Sequence, residues 1–393
     1  MSAVSQAAAP ERPARWKAWL APLADAVVAV TLLRGTARHG GEPATMLVAG
    51  RVKRVGWLVD RFFAAPPARE SLGHVPAWRL ARSLRQARGS ADLTVAHVAR
   101  LSARFLGFGE DYMAVPDWIG MRLAAPFDPA AAARRSHSLS DDLRRVRTGR
   151  WSAEVSHRAA DVAAFYREMY VPFVRNRHRE NAYVQPARRM RRAFRRGGIL
   201  WILRGGERRA GLVFEHRGGT LRLVAVGTAG GDPGVMKEGA IAAIYLHVIE
   251  YARRAGCADI DLRGSRPSLD DGITRYKRKW GASLYDRPDV LTTTLVHWHR
   301  MTPAVEAFLA GTSLVFRDGG GLSALAVADP DERTRPDPAR TWARLGVPGL
   351  RRLFVLAAAS SWPNSESEGP ACVPVPIAAV ESGPRAILLS TPG

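Results

Sequence analysis

One segment, residues 220–280, constrains the fold of this chain more than any other, because strand-like and helix-like patterns alternate in it. Residues 220–227 and 258–262 alternate apolar and polar side chains, as half-buried strands do. Between them, residues 239–254 carry apolar side chains at the spacing of an amphipathic helix, and Gly256 follows its last turn. This order predicts a chain of the α/β (α+β) class.

A loop dense in polar groups follows the second predicted strand. The residues GSRP at 264–267 end the strand, and DDG at 270–272 leads into a basic and aromatic segment, residues 273–280. Backbone amides, a serine and two arginines converge there, where a sheet edge meets solvent, and such loops usually carry function. The sequence therefore predicts the functional site within residues 257–286.

The chain is strongly basic, with 58 lysines and arginines against 36 acidic residues and a formal net charge of +22. Only five of the basic residues are lysines, and two of these, Lys277 and Lys279, stand together after the polar loop. The charge predicts an anionic partner: nucleic acid, an anionic membrane or polymer, or a phosphorylated donor such as a CoA thioester. The alternative is a solvated basic surface without a partner.

The densest basic stretch is residues 175–196, which contain nine arginines and a single acid, Glu180. The planar fork of arginine pairs bidentately with phosphate oxygens, so this stretch is a candidate contact for phosphate or a polyanion. The competing interpretation is a helix over residues 187–196 whose arginines only keep it soluble. The sequence leaves both open.

The motifs D-x-x-G-S-R-P at 261–267 and D-G-x-x-x-Y-K-R-K-W-G at 271–281 carry a resemblance to a known family. Together with the strand, glycine turn and helix before them, they resemble the C-terminal half of a GNAT-fold acyltransferase of the FemABX-like branch. The resemblance spans residues 151–286, and the closing motif, residues 276–281, is its most specific part. It implies a GNAT-like mixed sheet flanked by helices, in tandem GNAT-like units of which the N-terminal one is degenerate.

The resemblance also implies an N-acyltransferase, which passes an acyl group from a thioester or aminoacyl carrier to a primary amine of a small molecule or cell-envelope precursor. Lys277 then contacts the donor or its developing oxyanion, and Asp271 or Asp261 could receive the proton of the amine. The implied donor-binding residues are Gly239, Gly264, Ser265, Arg266, Tyr276 and Trp280. The predicted acceptor or polyanion contacts are Arg177, Tyr183, Arg188, Arg189, Arg192, Tyr245, His247 and Arg263.

Each of these residues has a structural alternative. Asp271 could only form a turn or cap a helix. Trp280 and Tyr245 could be core packing, and His247 a hydrogen-bonded interior histidine. The two loop arginines could do no more than pair with nearby aspartates.

The glycine turn before the predicted helix departs from the pattern of GNAT enzymes that use acetyl-CoA. Residues 235–240 keep only Gly239 and the small residue after it, and Glu238 does not favour an anion. The donor is therefore expected to be either acyl-CoA or aminoacyl-tRNA, and relatives of the FemABX type use the latter. A third reading is a non-catalytic polyanion or nucleic-acid binder that kept the fold.

Composition shifts predict the domain boundaries. Residues 1–13 are predicted to be disordered, 14–130 to form the N-terminal α/β subdomain, 131–300 the acyltransferase domain and 301–359 a C-terminal α/β extension. Residues 337–359 show helical and apolar periodicity, and a flexible tail is expected in residues 360–393, which are rich in Ser, Pro and Glu.

Other kinds of site have no signature in the sequence. No zinc-spaced Cys/His cluster, Walker motif or nucleophile elbow occurs, so no metal is expected. The two cysteines are too few for a disulfide framework, which favours the cytoplasm. The best apolar run, residues 20–33, is interrupted by Asp25 and is shorter than the ~20 residues of a membrane span. Contact with the membrane is expected only as peripheral binding to an anionic surface.

Overall fold

The computed structural model describes residues 26–87, 89–178, 184–328, 337–357 and 372–389. The predicted disordered residues 1–13, and Tyr183, lie outside the described residues. The chain divides into two compact units. The first contains residues 120–264 and 276–283, and the second contains the other described residues. The units interleave along the sequence, and the domain boundaries given above stay predictions.

The strands follow one another in this order: β1 Val27–Thr36, β2 Pro43–Ala49, β3 Ala68–Pro76, β4 Leu93–Ala99, β5 Met113–Pro116, β6 Ile119–Ala124, β7 Ser152–Ser156, β8 Gly197–Arg204, β9 Glu207–Arg217, β10 Thr220–Thr228, β11 Asp259–Ser265, β12 Ser283–Asp286, β13 Thr292–Trp298, β14 Leu314–Asp318, β15 Gly321–Val327, β16 Leu350–Ala357 and β17 Cys372–Pro376.

The α-helices are α1 Gly56–Phe62, α2 Ala77–Gln86, α3 Arg100–Phe105, α4 Pro129–Arg134, α5 His137–Thr148, α6 Ala159–Ala164, α7 Val171–His178, α8 Ala187–Phe194, α9 Pro233–Lys237, α10 Ala240–Arg254, α11 Gly272–Lys279, α12 Pro303–Thr312, α13 Pro338–Leu345 and α14 Arg385–Leu389. A π-helical turn, Phe165–Tyr170, joins α6 to α7. Among the described residues, no helix is long and apolar enough to cross a membrane.

The first unit is built on a mixed sheet that contains six strands in the order β6–β11–β10–β9–β8–β7. Strands β7 to β10 are antiparallel neighbours, whereas β10 and β11 run parallel with α10 as the crossover between them. A parallel pair requires such a crossover, which is why the helix separates these two strands in the sequence. The π-helical turn, α7 and α8 bury their apolar side chains against β8, β9 and β10. The predicted mixed sheet flanked by helices is confirmed.

The second unit contains two further mixed sheets, of order β3–β1–β2–β4–β13–β5 and β14–β15–β16–β17. In the six-stranded sheet, β13 lies between β4 and β5 and is antiparallel to both. One face of this sheet forms a core with α1, α12 and the four-stranded sheet, and its other face forms a smaller core with α2.

The prediction of a flexible C-terminal tail is wrong in detail. Before the predicted tail, the helix α13 is followed by the buried strand β16. The predicted tail is folded between Cys372 and Leu389, where β17 pairs in parallel with β16. Val380 and Ile387 are fully buried in the core of the second unit. Pairing partners far away in the sequence stabilise these segments, which local composition does not reveal.

Candidate active site

The neighbouring strands β10 and β11 separate along their length. Their parallel pairing covers only Thr220–Asp259, Leu221–Ile260 and Arg222–Asp261, whereas β10 continues to Thr228 and β11 to Ser265. Among the described residues, no pairing between these two strands is found beyond Arg222. We call the opening between residues 223–228 and 262–264 the strand split. It lies at the carboxyl end of two parallel strands, where α/β sheets commonly bind ligands.

A β-bulge and a π-helical turn shape the β10 side of the split. The register of β10 on β9 jumps between Leu223 and Ala225, so that Val224 is the extra residue. The π-helical turn then passes very close to the end of β10, because a Cβ atom on Gly227 would stand only 2.7 Å from the backbone carbon of Met169. Bulges and π-helical turns are both frequent at functional sites.

The β11 side of the split ends in an unusual backbone held by Lys277. Arg263 has a φ of 64°, a left-handed conformation that is rare outside glycine. The ammonium nitrogen of Lys277 donates to the backbone oxygens of Arg263 and Gly264, at 3.0 Å each. Lys277 is only 4% exposed. The structure therefore shows Lys277 positioning the end of β11, and its predicted contact with a donor stays a prediction.

The two aspartates predicted as proton acceptors have other partners. Asp261 is buried, accepts a hydrogen bond from Arg222 Nε at 3.1 Å, and accepts another from the backbone N–H of Arg263 at 2.8 Å. Asp271 caps α11, since its Oδ1 accepts the backbone N–H groups of Ile273 and Thr274 at 3.0 Å each. Asp271 is therefore a helix cap, which was the structural alternative to its predicted role. Asp261 forms an ion pair with Arg222 at the last paired position before the split.

Three aromatic residues of the prediction form one cluster in the first unit. The Tyr245 ring lies 5.2 Å from the ring of Tyr276 and 5.3 Å from that of Trp280. The hydroxyl of Tyr276 and the indole nitrogen of Trp280 are both buried, and neither has a hydrogen-bond partner among the described residues. Burial, followed by the neighbouring Tyr245 and Asp142, raises the pKa of Tyr276 well above its ordinary value. Packing in the cluster explains the position of Tyr245. It does not explain why the hydroxyl of Tyr276 and the indole nitrogen of Trp280 are buried without a partner among the described residues.

Lys279, the other lysine of the closing motif, fixes α11 to α5. Its ammonium pairs with Asp142 at 2.5 Å, and it lies 4.3 Å from the centre of the Tyr276 ring. The lysines at 277 and 279 therefore have different structural roles, one on the end of β11 and one on a neighbouring helix.

Gly239 begins α10 with a φ of 107°, which a residue with a side chain adopts only under strain. Arg145 and Trp151 lie beside it, and the carboxylate of Glu238 pairs with Arg204 at 2.7 Å. The negative charge of Glu238, which counted against an anion in the sequence, is thus partly neutralised.

The arginines of α8, together with Arg195 and Arg196 after it, form an exposed basic face. Met190, Ala193 and Phe194 are buried in the core of the first unit, which turns the arginines outward. None of these arginines forms a side-chain hydrogen bond or ion pair with a described residue. We call this set the arginine face, and its members are Arg188, Arg189, Arg191, Arg192, Arg195 and Arg196. Arg177, on α7, lies instead over the Phe173 ring and near Met236.

His247 lines a cavity of about 440 Å³ beneath the edge strand β7. Its Nδ1 lies 2.8 Å from Glu250 Oε2, whereas its Nε2 is buried and has no partner among the described residues. The cavity is lined by Ala153, Val155, Leu200, His247, Tyr251, Arg254 and Ala255. Only one of the two ring nitrogens of His247 therefore has a hydrogen-bond partner among the described residues.

Two predicted donor-binding residues, Ser265 and Arg266, belong to the second unit. Ser265 is fully buried. Arg266 lies over the Trp118 ring at 4.3 Å, and its side chain has no ion pair with a described residue. The sequence did not indicate Asp117, a neighbour of Arg266 that shares a hydrogen bond with His97. A single carboxylate and a single histidine, 20 residues apart, carry no motif, and only strand register brings them together.

The predicted site residues thus fall into two groups, one in each unit. Lys277, Gly264 and Arg263 meet at the strand split and Asp261 lies just before it on β11, whereas Arg266 and Asp271 lie in the second unit. Within the described part of the chain, no group of three or more His, Cys, Asp and Glu side chains could hold a metal ion.

Three solved structures illustrate what the chain is similar to. L-PGS from Bacillus licheniformis is 10% identical, with a TM-score of 0.35 over 70% of this chain and 86% of that one. FemX is 9% identical, with a TM-score of 0.35 over 70% of this chain and 90% of that one. A GCN5-related N-acetyltransferase from Sphaerobacter thermophilus is 15% identical, with a TM-score of 0.34 over 65% of this chain and 77% of that one. No protein-family model and no curated protein matches the chain.

Proposed function

We propose that this protein is an N-acyltransferase whose donor arm binds in the strand split of the first unit. The observation that carries the proposal is the separation of β10 from β11 beyond Arg222. Parted strands can take up an extended chain as an additional strand, through main-chain hydrogen bonds. The arm of an acyl-CoA carries amide groups for such pairing, and the 3′ end of an aminoacyl-tRNA carries ester and amine groups.

The reaction joins the amine nitrogen to the acyl carbon and breaks the carbon–sulfur or carbon–oxygen bond to the carrier. The amine loses one proton to a base, and the carrier leaves as a thiol or a hydroxyl after taking up a proton. Backbone N–H groups along the split could stabilise the oxyanion of the tetrahedral intermediate. Lys277 contributes by fixing the carbonyls of Arg263 and Gly264, so that the end of β11 has one conformation.

Aminoacyl-tRNA is the donor that the arginine face favours. Its six arginines are exposed and unpaired with any described residue, so they can bind phosphates without first breaking an ion pair. We place the reaction in the cytoplasm, where both kinds of donor are made, and the acceptor is a small molecule or cell-envelope precursor with a primary amine.

Hydrogen exchange tests the proposal without knowledge of the acceptor. Acetyl-CoA and mixed aminoacyl-tRNA would be added separately, and amide exchange would be followed by mass spectrometry. The donor should slow exchange in residues 223–228 and 262–264, while uncharged tRNA should slow it only around the arginine face. If neither donor changes exchange at the split, the proposal is wrong. Protection at the arginine face alone would support a non-catalytic binder of nucleic acid.

A further inference from the structure

A second cluster of polar residues lies in the second unit, at one end of the six-stranded sheet. Strand register assembles it, since Thr294 of β13 lies opposite His97 of β4 and opposite Val115 of β5. Asp117 follows β5 directly and therefore reaches the same end of the sheet. The other side chains on this face, such as Val95 and Val296, are fully buried core residues. A polar cluster at the end of an apolar face calls for a ligand or a specific network.

His97 and Asp117 form an ordered pair within the cluster. His97 Nε2 lies 2.9 Å from Asp117 Oδ2, which also accepts the hydroxyl of Thr292, and Asp117 Oδ1 accepts the hydroxyl of Thr294 at 3.1 Å. An ionised carboxylate only accepts hydrogen bonds, so the shared proton lies on His97 Nε2.

Arg266 supplies a cation beside this pair. Its guanidinium lies 4.3 Å from the ring of Trp118, the residue after Asp117, and 5.9 Å from the ring of Trp57. Burial lowers its pKa, and the charge of Asp117, the first of the neighbouring carboxylates, opposes that effect. No described residue forms a hydrogen bond or ion pair with this side chain, although it has five N–H donors. A half-buried guanidinium with open donors and an aromatic ring beneath it is preorganised for a carboxylate.

The surroundings of Arg266 restrict which anion fits. Three carboxylates act on its charge, those of Asp117, Asp271 and Asp60, and none of them forms an ion pair with it. A simple anion bound to Arg266 would be repelled by all three. A ligand that carries an ammonium group next to its carboxylate would satisfy the guanidinium and the acidic neighbours together.

We propose that the second unit binds a zwitterionic amine, with its carboxylate on Arg266 over Trp118 and its amino group towards Asp117 and His97. The ligand class is an amino acid or the end of a peptide. The inference goes beyond the proposed function and does not depend on it.

Equilibrium binding tests the inference separately from acyl transfer. The probes are glycylglycine, N-acetylglycylglycine, which lacks the ammonium, and glycylglycinamide, which lacks the carboxylate. Calorimetry on the full chain should show saturable binding of glycylglycine and at least tenfold weaker binding of the other two. Equal affinity for all three would overturn the inference. Equal affinity for glycylglycine and its N-acetyl form would reduce the site to an anion site and also overturn it.

Variants test which residue binds the carboxylate of the ligand and which binds its ammonium group. Arg266→Gln should abolish binding of glycylglycine, and Arg266→Lys, which keeps the charge but loses the fork, should weaken it about tenfold. His97→Gln should reduce the preference for glycylglycine over its N-acetyl form, while affinity for the N-acetyl form is kept. Arg82→Gln, on the exposed side of α2, is the matched control. If both Arg266 variants fold and bind as the wild type does, the site is not there. Hydrogen exchange at the strand split reports on the donor alone, so either proposal can fail while the other stands.

Discussion

The ammonium of Lys277 lies 3.0 Å from the backbone oxygen of Arg263, the residue of β11 that has a positive φ. A left-handed non-glycine residue costs roughly 1–3 kcal/mol and persists only when its surroundings fix it. Lys277 therefore provides a restraint that the sequence around Arg263 does not provide.

Lys277→Met should lower the free energy of unfolding by about 2 kcal/mol, because the carbonyls of Arg263 and Gly264 lose the donor that a buried ammonium provides. It should also loosen the end of β11, so that exchange of residues 262–264 becomes faster even without a donor. Urea unfolding and hydrogen exchange measure the two effects. Lys53→Met, at an exposed lysine, is the control and should change stability by less than about 0.5 kcal/mol. Unchanged exchange at residues 262–264 would show that Lys277 does not restrain β11.

The arginine face should determine the salt dependence of tRNA binding. Replacement of Arg188, Arg189, Arg191 and Arg192 by Gln removes four cations that can contact phosphate. The slope of log K against log salt should then fall by up to about 2.8–3.6, since each phosphate contact contributes about 0.7–0.9. Fluorescence anisotropy with labelled tRNA at several salt concentrations measures the slope. The same change at exposed arginines of α2 and α3 (Arg79, Arg82, Arg85 and Arg104) is the control, and an equal loss there would mean that only net charge matters.

Gly227→Ala should disturb the π-helical turn. The added Cβ would lie 2.7 Å from the backbone carbon of Met169 and 2.8 Å from the backbone nitrogen of Tyr170, so the backbone has to move. We expect a loss of about 1–3 kcal/mol in the free energy of unfolding and weaker protection of the split by donor. Gly56→Ala, where the Cβ meets no atom within 4 Å, is the matched control. It should be neutral or slightly stabilising in α1, and equal losses in both variants would contradict the close approach.

Asp117 should make stability depend on pH. Burial alone would raise the pKa of Asp117, but hydrogen bonds from His97, Thr292 and Thr294 outweigh it and hold the pKa below its ordinary value. A folded pKa below the unfolded one, about 3.9, stabilises the protein above that pH. The contribution is lost as the pH falls through the folded value.

Asp117→Asn should therefore be less stable than the wild type by about 2 kcal/mol at pH 7, and the difference should shrink below about pH 4. Urea unfolding between those pH values measures it. Asp60→Asn, at an exposed carboxylate, is the control. A difference that grows as the pH falls would give the wrong sign and refute the assignment.

Tyr276→Phe separates packing from function in the aromatic cluster. The hydroxyl of Tyr276 is buried without a partner among the described residues, so its removal should leave stability unchanged or raise it by up to about 1 kcal/mol. Tyr251→Phe is the matched comparison, because the Tyr251 hydroxyl lies 3.0 Å from His216 Nε2. That variant should lose about 1 kcal/mol in urea unfolding. An equal loss in both would show that the Tyr276 hydroxyl is satisfied in the fold. Reduced acyl transfer by a stable Tyr276→Phe would assign the hydroxyl to a substrate.

Local patterning predicted the elements that carry a clear periodicity. The sequence placed a strand at residues 220–227, a helix at 239–254 and a strand at 258–262, and the structure has β10, α10 and β11 there within three residues at each end. Lys277, Arg263 and Gly264 were also singled out, because they stand in one motif-rich loop. Their contact is local, 13 and 14 residues apart, and a loop followed by one helix brings them together.

Contacts between distant residues were not predictable in this way. The pairing of Asp117 with Thr292 and Thr294 spans more than 170 residues, and it depends on the position of β13 between β4 and β5. Residues 350–357 have apolar side chains that suit a helix as well as a strand, and pairing with β15 and β17 decides for the strand. The strand split was not predictable either, because it lies where β10 has a bulge and packs closely against the π-helical turn.

By itself, the sequence determined the α/β class, the basic character of the chain and the loop after β11 as a place of dense chemistry, because periodicity and composition are local quantities. Only the tertiary structure decided that Asp271 caps a helix, that Lys277 holds a strand end, and that Arg266 lies beside the pair of His97 and Asp117. The physical reason is that a side chain acquires its role from the partners within a few ångströms. For Asp271 and Lys277 these partners are near in the sequence, whereas Asp117 accepts from Thr292 of β13, 175 residues away.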